Sequence, residues 1–410
     1  ALGADELILK HLLPLARAGL AARAIASEDV DRYLGVLEER VASRRTGAQW
    51  ALDSLAAMNA HGTGEERHRA LTEAMCEFEG SGEPVHTWPL ADAIRSARPR
   101  AHLSWVVEEP FLPLVEGHPA VDSIFTVTTK RWRRRPFSTS TRAEIAVLKS
   151  RFQELDPDLA IDAQGTLKSA LVTRWTGAPR RVGLARPWRR ELVAGLPLTE
   201  TLPGSRDHRH VVATNLALVR AVGGEPPTGP TPPDGRWLSD RASHSSIAST
   251  WRTPYAVILP GAGRPEKILP VETLAAAARH LVSRDLDVVV AWGPAEGDRA
   301  REIAGLGGPR VHLAPPTDLL ELTAVLGAAA LVVGGDTGPV HLAASLGGPT
   351  IGIHLTTDPL RNGPLGDHTA FVSAALPGRG HRGSATTGRS RPVTTEEIEN
   401  AVDGMLGSQD

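Results

Sequence analysis

Cysteine is nearly absent from this sequence: Cys76 is the only one in 410 residues. One thiol cannot form an internal disulfide, which excludes a disulfide-stapled secreted fold and favours a reducing compartment. No apolar run reaches the roughly 18–20 residues that span a bilayer, since polar residues interrupt even the apolar stretch at 8–20. The net charge of −2 gives no global field, so any attraction to nucleic acid or anionic lipid must come from a local patch.

The order of helical and strand patterns predicts four parts. Residues 1–82 have helical spacing only, and residues 83–223 alternate strand-like and helical segments. The Pro/Gly/Ser-rich stretch 224–252 predicts a flexible interdomain linker, and residues 253–410 alternate again and end in a helix. The predicted fold is therefore α/β, with two Rossmann-like domains and an all-helical N-terminal segment. Because the chain begins at Ala1, without a methionine or a signal-peptide pattern, we expect its natural start to lie upstream.

The most informative segment is Gly334-Gly335-Asp336-Thr337-Gly338, which follows a buried strand pattern and opens a helical one. The free N–H groups at such a helix start bind anions, and the helix dipole adds positive potential. Asp336, Thr337 and His341 are placed to reach a sugar or a phosphate. Taken alone, the segment fits a plain turn with a helix cap equally well.

The surrounding motifs resemble glycosyltransferase family 9, the ADP-heptose:lipopolysaccharide heptosyltransferases, over about residues 85–375. The segments that carry the resemblance are, in the family's order, Trp105–Phe111, Arg131–Ser138, Asp162–Ala170, Leu259–Ala262 with Lys267, Trp292–Pro294 with Glu296, Gly334–Ala344 and Ile351–Pro364. In detail they are most similar to heptosyltransferase I, which adds the first heptose to the Kdo sugar of lipid A. The resemblance implies the GT-B arrangement of two Rossmann-like domains.

The resemblance also implies an inverting transfer from ADP-heptose, which is a donor substrate, with no metal and no cofactor. Lys267 is implied as a catalytic residue that stabilises the leaving pyrophosphate, Glu296 as the ligand of the ribose, and Thr317 as a contact of the adenine. The other implied donor-binding residues are Ala262, Gly263, Asp336, Thr337, Gly338 and His341. Without the motifs around them, Lys267 and Glu296 would be interpreted as solvated surface charges.

The run Lys130–Arg135 is basic in an otherwise balanced chain. The resemblance implies a phosphorylated lipid A–Kdo acceptor at a membrane surface, so we expect a cytoplasmic protein peripheral to the inner membrane, with Trp132 at the interface. The implied acceptor-side residues are Arg131, Trp132, Arg133, Arg134, Gln164 and Lys168. Nucleic-acid binding is the other interpretation of a basic run, but no RNA or DNA module accompanies it. The sequence predicts no oligomeric state.

The pattern departs from the family at its first strand. The family's chain begins with a strand, a Gly-Asp turn that carries the catalytic base, and a helix. Here Gly82–Pro89 fits the turn and the helix start, with Glu83 in the place of the base and Pro84 favouring an extended Glu83. Nothing strand-like precedes this segment, so we expect the first strand of the N-terminal domain to be missing, with its neighbours' ladder groups satisfied elsewhere.

Residues 1–90 instead resemble the C-terminal end of carboxylate–amine ligases, the glutamate–cysteine ligase family 2. The matching segments are Leu13–Leu20, Arg45–Trp50 and Gly82–Pro89. The last segment fits both families, which places a fusion joint there. The ligase family's catalytic residues would lie upstream, so no ligase activity is implied.

Three hypotheses follow. The first is an active heptosyltransferase. The second is a catalytically impaired sugar-nucleotide-binding protein, a fusion or truncation product that keeps the donor site but has lost the base and the acceptor side. The third is an adaptor whose N-terminal helices bind a partner, although Ala-rich helices of this kind more often serve simple packing.

Overall fold

The computed structural model describes residues 82–205, 210–262, 264–374 and 391–407. The helical segment predicted for residues 1–82 lies outside this range except for Gly82, as does most of the ligase-like stretch. The chain divides into two compact units. The first unit, as we call it, contains Val127–Thr201, and the second unit contains the described residues of Ala74–Thr126 and Leu202–Asp410.

In the described part of the N-terminal half, five short strands form two separate sheets. Their bounds are β1 Ser104–Glu108, β2 Ser123–Val127, β3 Leu159–Asp162, β4 Arg180–Leu184 and β5 Glu200–Leu202. β1 pairs with β2, while β3, β4 and β5 form the other sheet in that order, with β3 and β4 parallel. The described residues contain no strand before β1 and none that joins the two sheets. The missing first strand stays a prediction, because it concerns residues before Gly82, which lie outside the described ranges.

Five helices are described in this half, and three of them begin at a side-chain cap. Their bounds are α1 Gly82–Ala97, α2 Thr129–Arg134, α3 Thr139–Leu155, α4 Leu167–Trp175 and α5 Val211–Leu216. Ser138 accepts a hydrogen bond from the N–H of Thr141 at the start of α3. Thr166 and Ser169 form a reciprocal capping box at the start of α4. Such caps satisfy backbone N–H groups that have no partner within the helix.

α1 begins at Gly82, so Glu83 and Pro84 both lie in its first turn. The extended conformation expected for Glu83 is therefore wrong. The N–H that Pro84 lacks would have no partner in the first turn of a helix, which makes proline compatible with that position. Val85, Trp88 and Ile94 are buried and fix the helix within the second unit.

The stretch predicted as a flexible linker, residues 224–252, contains a packed helix, α6 Arg236–Ala242. Leu238 and Ala242 on this helix are buried, and Arg241 donates hydrogen bonds to the carbonyls of Pro113 and Glu116. The prediction of flexibility is wrong here, because a few apolar residues at helical spacing are buried despite the surrounding proline and glycine. The predicted domain boundaries stay a prediction.

The C-terminal half contains a six-stranded sheet. Its strands are β6 Tyr255–Leu259, β7 Asp287–Val290, β8 Val311–Leu313, β9 Leu331–Gly335, β10 Thr350–His354 and β11 Thr369–Ser373. They lie in the order β8-β7-β6-β9-β10-β11, and every neighbouring pair is parallel. This is a doubly wound order, in which the direction of strand addition reverses between β6 and β9. Ligands of such sheets bind at that reversal, outside the carboxyl ends of the strands.

Helices connect and cover these strands. Their bounds are α7 Val271–Ser283, α8 Gly297–Gly307, α9 Leu319–Gly327, α10 Gly338–Ser345, α11 Pro359–Asn362 and α12 Thr395–Gly407. α7 buries Leu274, Ala278 and Leu281 in the core formed with the strands, and α12 packs against α7. α10, which follows β9 directly, packs against α1 from the N-terminal half. This last contact brings the beginning of α1 to the turn after β9.

Gly334 occupies a point in β9 where a side chain has no room. A Cβ atom there would lie 2.8 Å from Cβ of Leu259 and 2.9 Å from Cγ2 of Val340. We expect Gly334→Ala to lower the free energy of unfolding by about 1–3 kcal/mol through overpacking. Gly305 on α8 is the control, because a Cβ there meets nothing within 4 Å and alanine favours a helix over glycine by up to about 1 kcal/mol. Urea unfolding measures both variants, and equal stabilities would contradict this packing.

Candidate functional site

The residues predicted to bind the donor follow four neighbouring strands of the six-stranded sheet. In chain order they are Ala262 and Lys267 after β6, Glu296 after β7, Thr317 after β8, and Asp336, Thr337, Gly338 and His341 after β9. Gly263 lies outside the described residues. Because these strands are parallel, their carboxyl ends meet at one edge, which is the ligand-binding edge of doubly wound sheets.

Asp336 is a buried carboxylate at the centre of the contacts on this edge. Its Oδ2 atom accepts hydrogen bonds from Nζ of Lys267 at 2.9 Å and from the hydroxyl of Thr357 at 2.7 Å. Nε2 of His341 lies 3.5 Å from Oδ1. Since Asp336 is only 8% exposed, little water competes with these partners. The ion pair therefore fastens the loop after β6 to the turn after β9, across the reversal of the sheet.

The charges of this cluster follow from its burial. Burial alone would raise the pKa of Asp336, but the hydrogen bond from His341 and the positive charge of Lys267 outweigh it and hold that pKa well below its usual range. Burial lowers the pKa of His354, at the end of β10, to about 4, so this ring is neutral at neutral pH. Because the Thr357 hydroxyl donates to Asp336, it accepts from Nδ1 of His354 at 3.0 Å, which fixes the proton of that ring on Nδ1.

Glu296 lies at the neighbouring part of the same edge. One of its carboxylate oxygens, Oε2, accepts a hydrogen bond from the N–H of Gly293 at 2.8 Å. A Cβ atom on Gly261 would lie 1.7 Å from Oε1, so only glycine leaves room for this carboxylate beside the loop after β6. An acidic group after the second strand of a dinucleotide-binding unit is suited to the hydroxyls of a ribose.

The beginning of α10 is suited to an anion. Thr337 does not cap the helix with its side chain; its hydroxyl donates to the carbonyl of Gly335 at 3.2 Å. Pro339 lies in the first turn, where its missing N–H is tolerated. The first N–H groups of a helix and the positive end of its dipole attract negative charge. Lys267 lies beside this helix start because Asp336 holds it there.

Two further histidines surround the first turn of α10. The ring of His86, on α1, lies 4.3 Å from that of His341 and 5.9 Å from that of His210, measured between centroids. His210 accepts a hydrogen bond from the N–H of Val212 at the start of α5, and its Nε2 lies 3.0 Å from the carbonyl of Gly363. Burial lowers the pKa of His210 to about 4, so this ring is neutral at neutral pH.

The site residues predicted from the sequence do not include His86, His354 and Thr357, which are part of this cluster. His354 and Thr357 lie in Ile351–Pro364, one of the segments that carry the family resemblance. His354 ends a buried strand, and Thr357 lies three residues beyond it. Polar residues at the carboxyl end of a buried strand are the feature of the sequence that could have indicated both. The position of His86 depends on the packing of α1 against α10, which no local spacing indicates. Glu83 lies one turn before His86 on α1.

All but the last residue of the basic run on the acceptor side lies in helix α2. Trp132 is 7% exposed, its ring lies 6.2 Å from that of Trp175, and its Nε1 donates to Oε2 of Glu144 at 2.8 Å. The prediction that Trp132 lies at a membrane interface is wrong, because the indole is buried and its N–H is already bound. Arg131 pairs with the same carboxylate at 2.7 Å. The exposed residues of α2 are Lys130, Arg131, Arg133 and Arg134.

Gln164 and Lys168 lie at the turn from β3 to α4. Gln164 is buried and accepts a hydrogen bond from the hydroxyl of Thr166 at 3.0 Å, whereas Lys168 is half-buried in the first turn of α4. Oδ1 of Asp162 accepts from the N–H groups of Gln164 and Gly165, both at 3.0 Å. Burial raises the pKa of Asp162 to about 6 even though these hydrogen bonds act in the opposite direction.

Two other kinds of feature are not found among the described residues. No group of three or more His, Cys, Asp or Glu side chains is arranged there to hold a metal ion. Within the same ranges, every helix is too short or too polar to cross a lipid bilayer.

A parallel doubly wound sheet, with a cation and a helix start at its reversal, is the architecture of a nucleotide-binding α/β protein. The sequence model of glycosyltransferase family 9 (heptosyltransferase) matches residues 145–385. The chain belongs to this family, as the motifs predict, and its fold is of the GT-B type.

Individual relatives support the same assignment. Lipopolysaccharide heptosyltransferase 1 of Pseudomonas aeruginosa is 33% identical over 299 residues, which are 72% of this chain and 82% of that protein. The structure of E. coli heptosyltransferase WaaC with ADP is 27% identical and has a TM-score of 0.66, covering 82% of this chain and 99% of WaaC. WaaC with ADP-2-deoxy-2-fluoro heptose gives a TM-score of 0.63 at 27% identity, covering 83% of this chain and all of that one.

The buried carboxyl of Asp162 makes stability depend on pH. A pKa raised from about 4 in the unfolded chain to about 6 in the folded chain means that stability falls as pH rises between these values. We expect Asp162→Asn, which keeps an oxygen for both N–H groups, to raise the free energy of unfolding by about 3 kcal/mol at pH 7.5 and by little at pH 4. Denaturant unfolding at both pH values measures this. The exposed Asp158→Asn is the control, and an equal gain at both pH values would contradict the assignment.

Proposed function

We propose that this chain transfers heptose from ADP-heptose to the Kdo region of the lipopolysaccharide inner core. The observation that carries the proposal is the Lys267–Asp336 ion pair at the reversal of the sheet, beside the start of α10. The similarity to lipopolysaccharide heptosyltransferase 1 and to WaaC with ADP supports it. The acceptor is membrane-resident, so the protein works at the cytoplasmic surface of the inner membrane.

On the donor side, Lys267 is the catalytic residue that faces the leaving group. When the bond between heptose C1 and the β-phosphate oxygen breaks, negative charge develops on ADP. An ammonium has three N–H donors, of which Asp336 takes one, so others remain for the diphosphate. Asp336 is then a positioning residue that keeps Lys267 beside the N–H groups of α10. Preorganised donors of this kind are each worth about 3 kcal/mol of barrier.

The rest of the nucleotide lies along the same edge of the sheet. Glu296 accepts hydrogen bonds from the ribose hydroxyls, and Thr317, after β8, contacts the adenine. Ala262, after β6, is a further contact of the donor, and Gly263 stays a predicted donor-binding residue outside the described ranges. Thr337, Gly338 and His341 contact the phosphate or the heptose. This order matches the sequence of strands from β9 through β6 and β7 to β8.

The reaction needs a base on the acceptor side, and we assign Glu83. The acceptor hydroxyl attacks C1, its proton passes to the Glu83 carboxylate, and ADP departs from the opposite face with inversion. The support is the position of Glu83 one turn before His86, whose ring contacts that of His341. General-base catalysis by a carboxylate contributes roughly 10²–10⁴-fold.

The acceptor itself carries phosphates and acidic sugars, which the cationic residues of the first unit complement. Positive charge comes from Arg131, Arg133 and Arg134 on α2 and from Lys168 on α4. Gln164 lies in the turn between β3 and α4. The proposal requires no metal ion and no cofactor, since Lys267 and the helix start supply positive potential to the diphosphate.

A second candidate function is sugar-nucleotide binding without turnover. Two observations favour it: β1–β2 and β3–β5 are separate sheets among the described residues, and Glu83 lies within a helix rather than in a strand-to-helix turn. A base that lies about 1 Å from its productive position can cost about 10²-fold in rate.

The proposed role of Lys267 predicts that its substitution lowers both the affinity for ADP and the rate of heptose transfer. We expect Lys267→Met to weaken ADP binding and to lower heptose transfer to a Kdo-lipid acceptor by about 10²–10³-fold, because the leaving diphosphate loses a charged donor. Calorimetry measures the first and ADP release the second. Arg301→Met, an exposed cation on α8, is the control. Unchanged affinity and turnover in Lys267→Met would refute the donor assignment.

Substitution of Glu83 and the turnover of the unmodified protein distinguish the two candidate functions. If the chain is an enzyme, Glu83→Gln lowers turnover by about 10²-fold or more and leaves ADP affinity unchanged. If the chain only binds sugar nucleotides, the unmodified protein binds ADP-heptose by calorimetry but transfers no heptose. Equal turnover of Glu83→Gln and the parent protein would remove Glu83 as the base.

A further inference from the structure

The two faces of α2 differ sharply in chemistry. Trp132 faces inward, where its indole contacts Trp175 and binds Glu144. Lys130, Arg133 and Arg134 are exposed. Residues three and four apart share a helix face, so these three cations lie together, away from the buried indole. A six-residue helix thus presents one face that is entirely cationic.

Glu144 on α3 keeps this face in place. Its Oε2 atom accepts hydrogen bonds from Nε1 of Trp132 at 2.8 Å, from Nη2 of Arg131 at 2.7 Å and from the hydroxyl of Thr128 at 3.3 Å. The hydrogen bonds from Arg131 and Trp132 hold the pKa of Glu144 below its usual range, so the carboxylate stays charged at neutral pH. Three contacts on one carboxylate fix the orientation of α2 relative to α3.

Phe137 follows this face directly and is the most exposed large apolar side chain among the described residues, at 69%. It lies three residues beyond Arg134, in the turn between α2 and α3, with the exposed Arg135 between them. Leaving a phenylalanine in water forgoes the free energy of its burial. The position of Phe137 beside a cationic patch indicates a partner that is both anionic and apolar.

We propose that the exposed face of α2 and Phe137 together form the membrane-contact surface of this protein, with the cations on anionic headgroups and the phenyl ring inserted among the acyl chains. The inference rests on the proposed function in so far as that function requires a membrane-resident acceptor. Anionic lipid satisfies both features of the patch, since binding of amphipathic surfaces grows with buried apolar area and with charge attraction. Phe137 replaces Trp132 as the side chain at the interface.

Flotation of the full chain with phosphatidylglycerol and with phosphatidylcholine vesicles, without acceptor or donor, tests the proposal. We expect binding to the anionic vesicles that falls about tenfold in Phe137→Ser and about fivefold for each charge removed in Arg133→Gln and Arg134→Gln. Phe371→Ser, which removes another exposed phenylalanine from the edge strand β11, is the control and should bind like the parent. Circular dichroism confirms that each variant is folded.

The outcomes separate this inference from the proposed function. Vesicle binding that disappears in Phe137→Ser supports the contact surface whether or not the chain transfers heptose. Heptose transfer to a short-chain, water-soluble acceptor without any vesicle binding would overturn the surface and leave the function standing. Binding to duplex DNA in the absence of vesicle binding, or vesicle binding that Phe137→Ser does not change, would also overturn it.

Discussion

The contacts of the candidate site depend on one ion pair, between Lys267 and Asp336. The two partners follow β6 and β9, which are neighbours in the sheet although 71 residues of the chain lie between them. The carboxylate is buried, and a buried carboxylate persists as an anion only where a cation and hydrogen-bond donors surround it. Lys267, Thr357 and His341 satisfy that requirement, and in doing so they place an ammonium beside the beginning of α10. The same contacts therefore stabilise the buried carboxylate and create an anion-binding position.

The second constraint is the attachment of α1 to α10. If the six-stranded sheet and its own helices stood alone, the first turn of α10 would face solvent at the edge of the sheet. Here His86 covers His341, and the buried face of α1 belongs to the same compact unit as the six-stranded sheet. This packing carries Glu83 with it, because a helix moves as one body. The proposal of Glu83 as the base therefore depends on a tertiary contact and not on the turn geometry that the family uses.

Much of the C-terminal half could be predicted from the sequence. Apolar runs such as that of Leu331–Gly335, followed by a helical pattern, predict buried parallel strands and their connections, and β6, β8, β9 and β10 lie on such runs. β11 gives a weaker signal because Thr369–Ser373 lies at the sheet edge, where only one residue is buried. The six-residue helix α2 was not predictable for a related reason: Trp132 is its one apolar residue and the other five are polar or charged, so no helical spacing of apolar residues is visible.

The donor residues were predictable as a set because parallel strands bring their carboxyl ends together, whatever the loops between them do. Their individual contacts were not. Thr357 and His354 join Asp336 only through the pairing of β9 with β10, and His86 joins only through the packing of two helices.

A double-mutant cycle on ADP affinity, with Lys267→Met and Asp336→Asn, tests the central claim that Asp336 acts through Lys267. The account predicts that the double variant binds ADP no more weakly than Lys267→Met alone. Losses that simply add would show that the two residues act on the nucleotide independently.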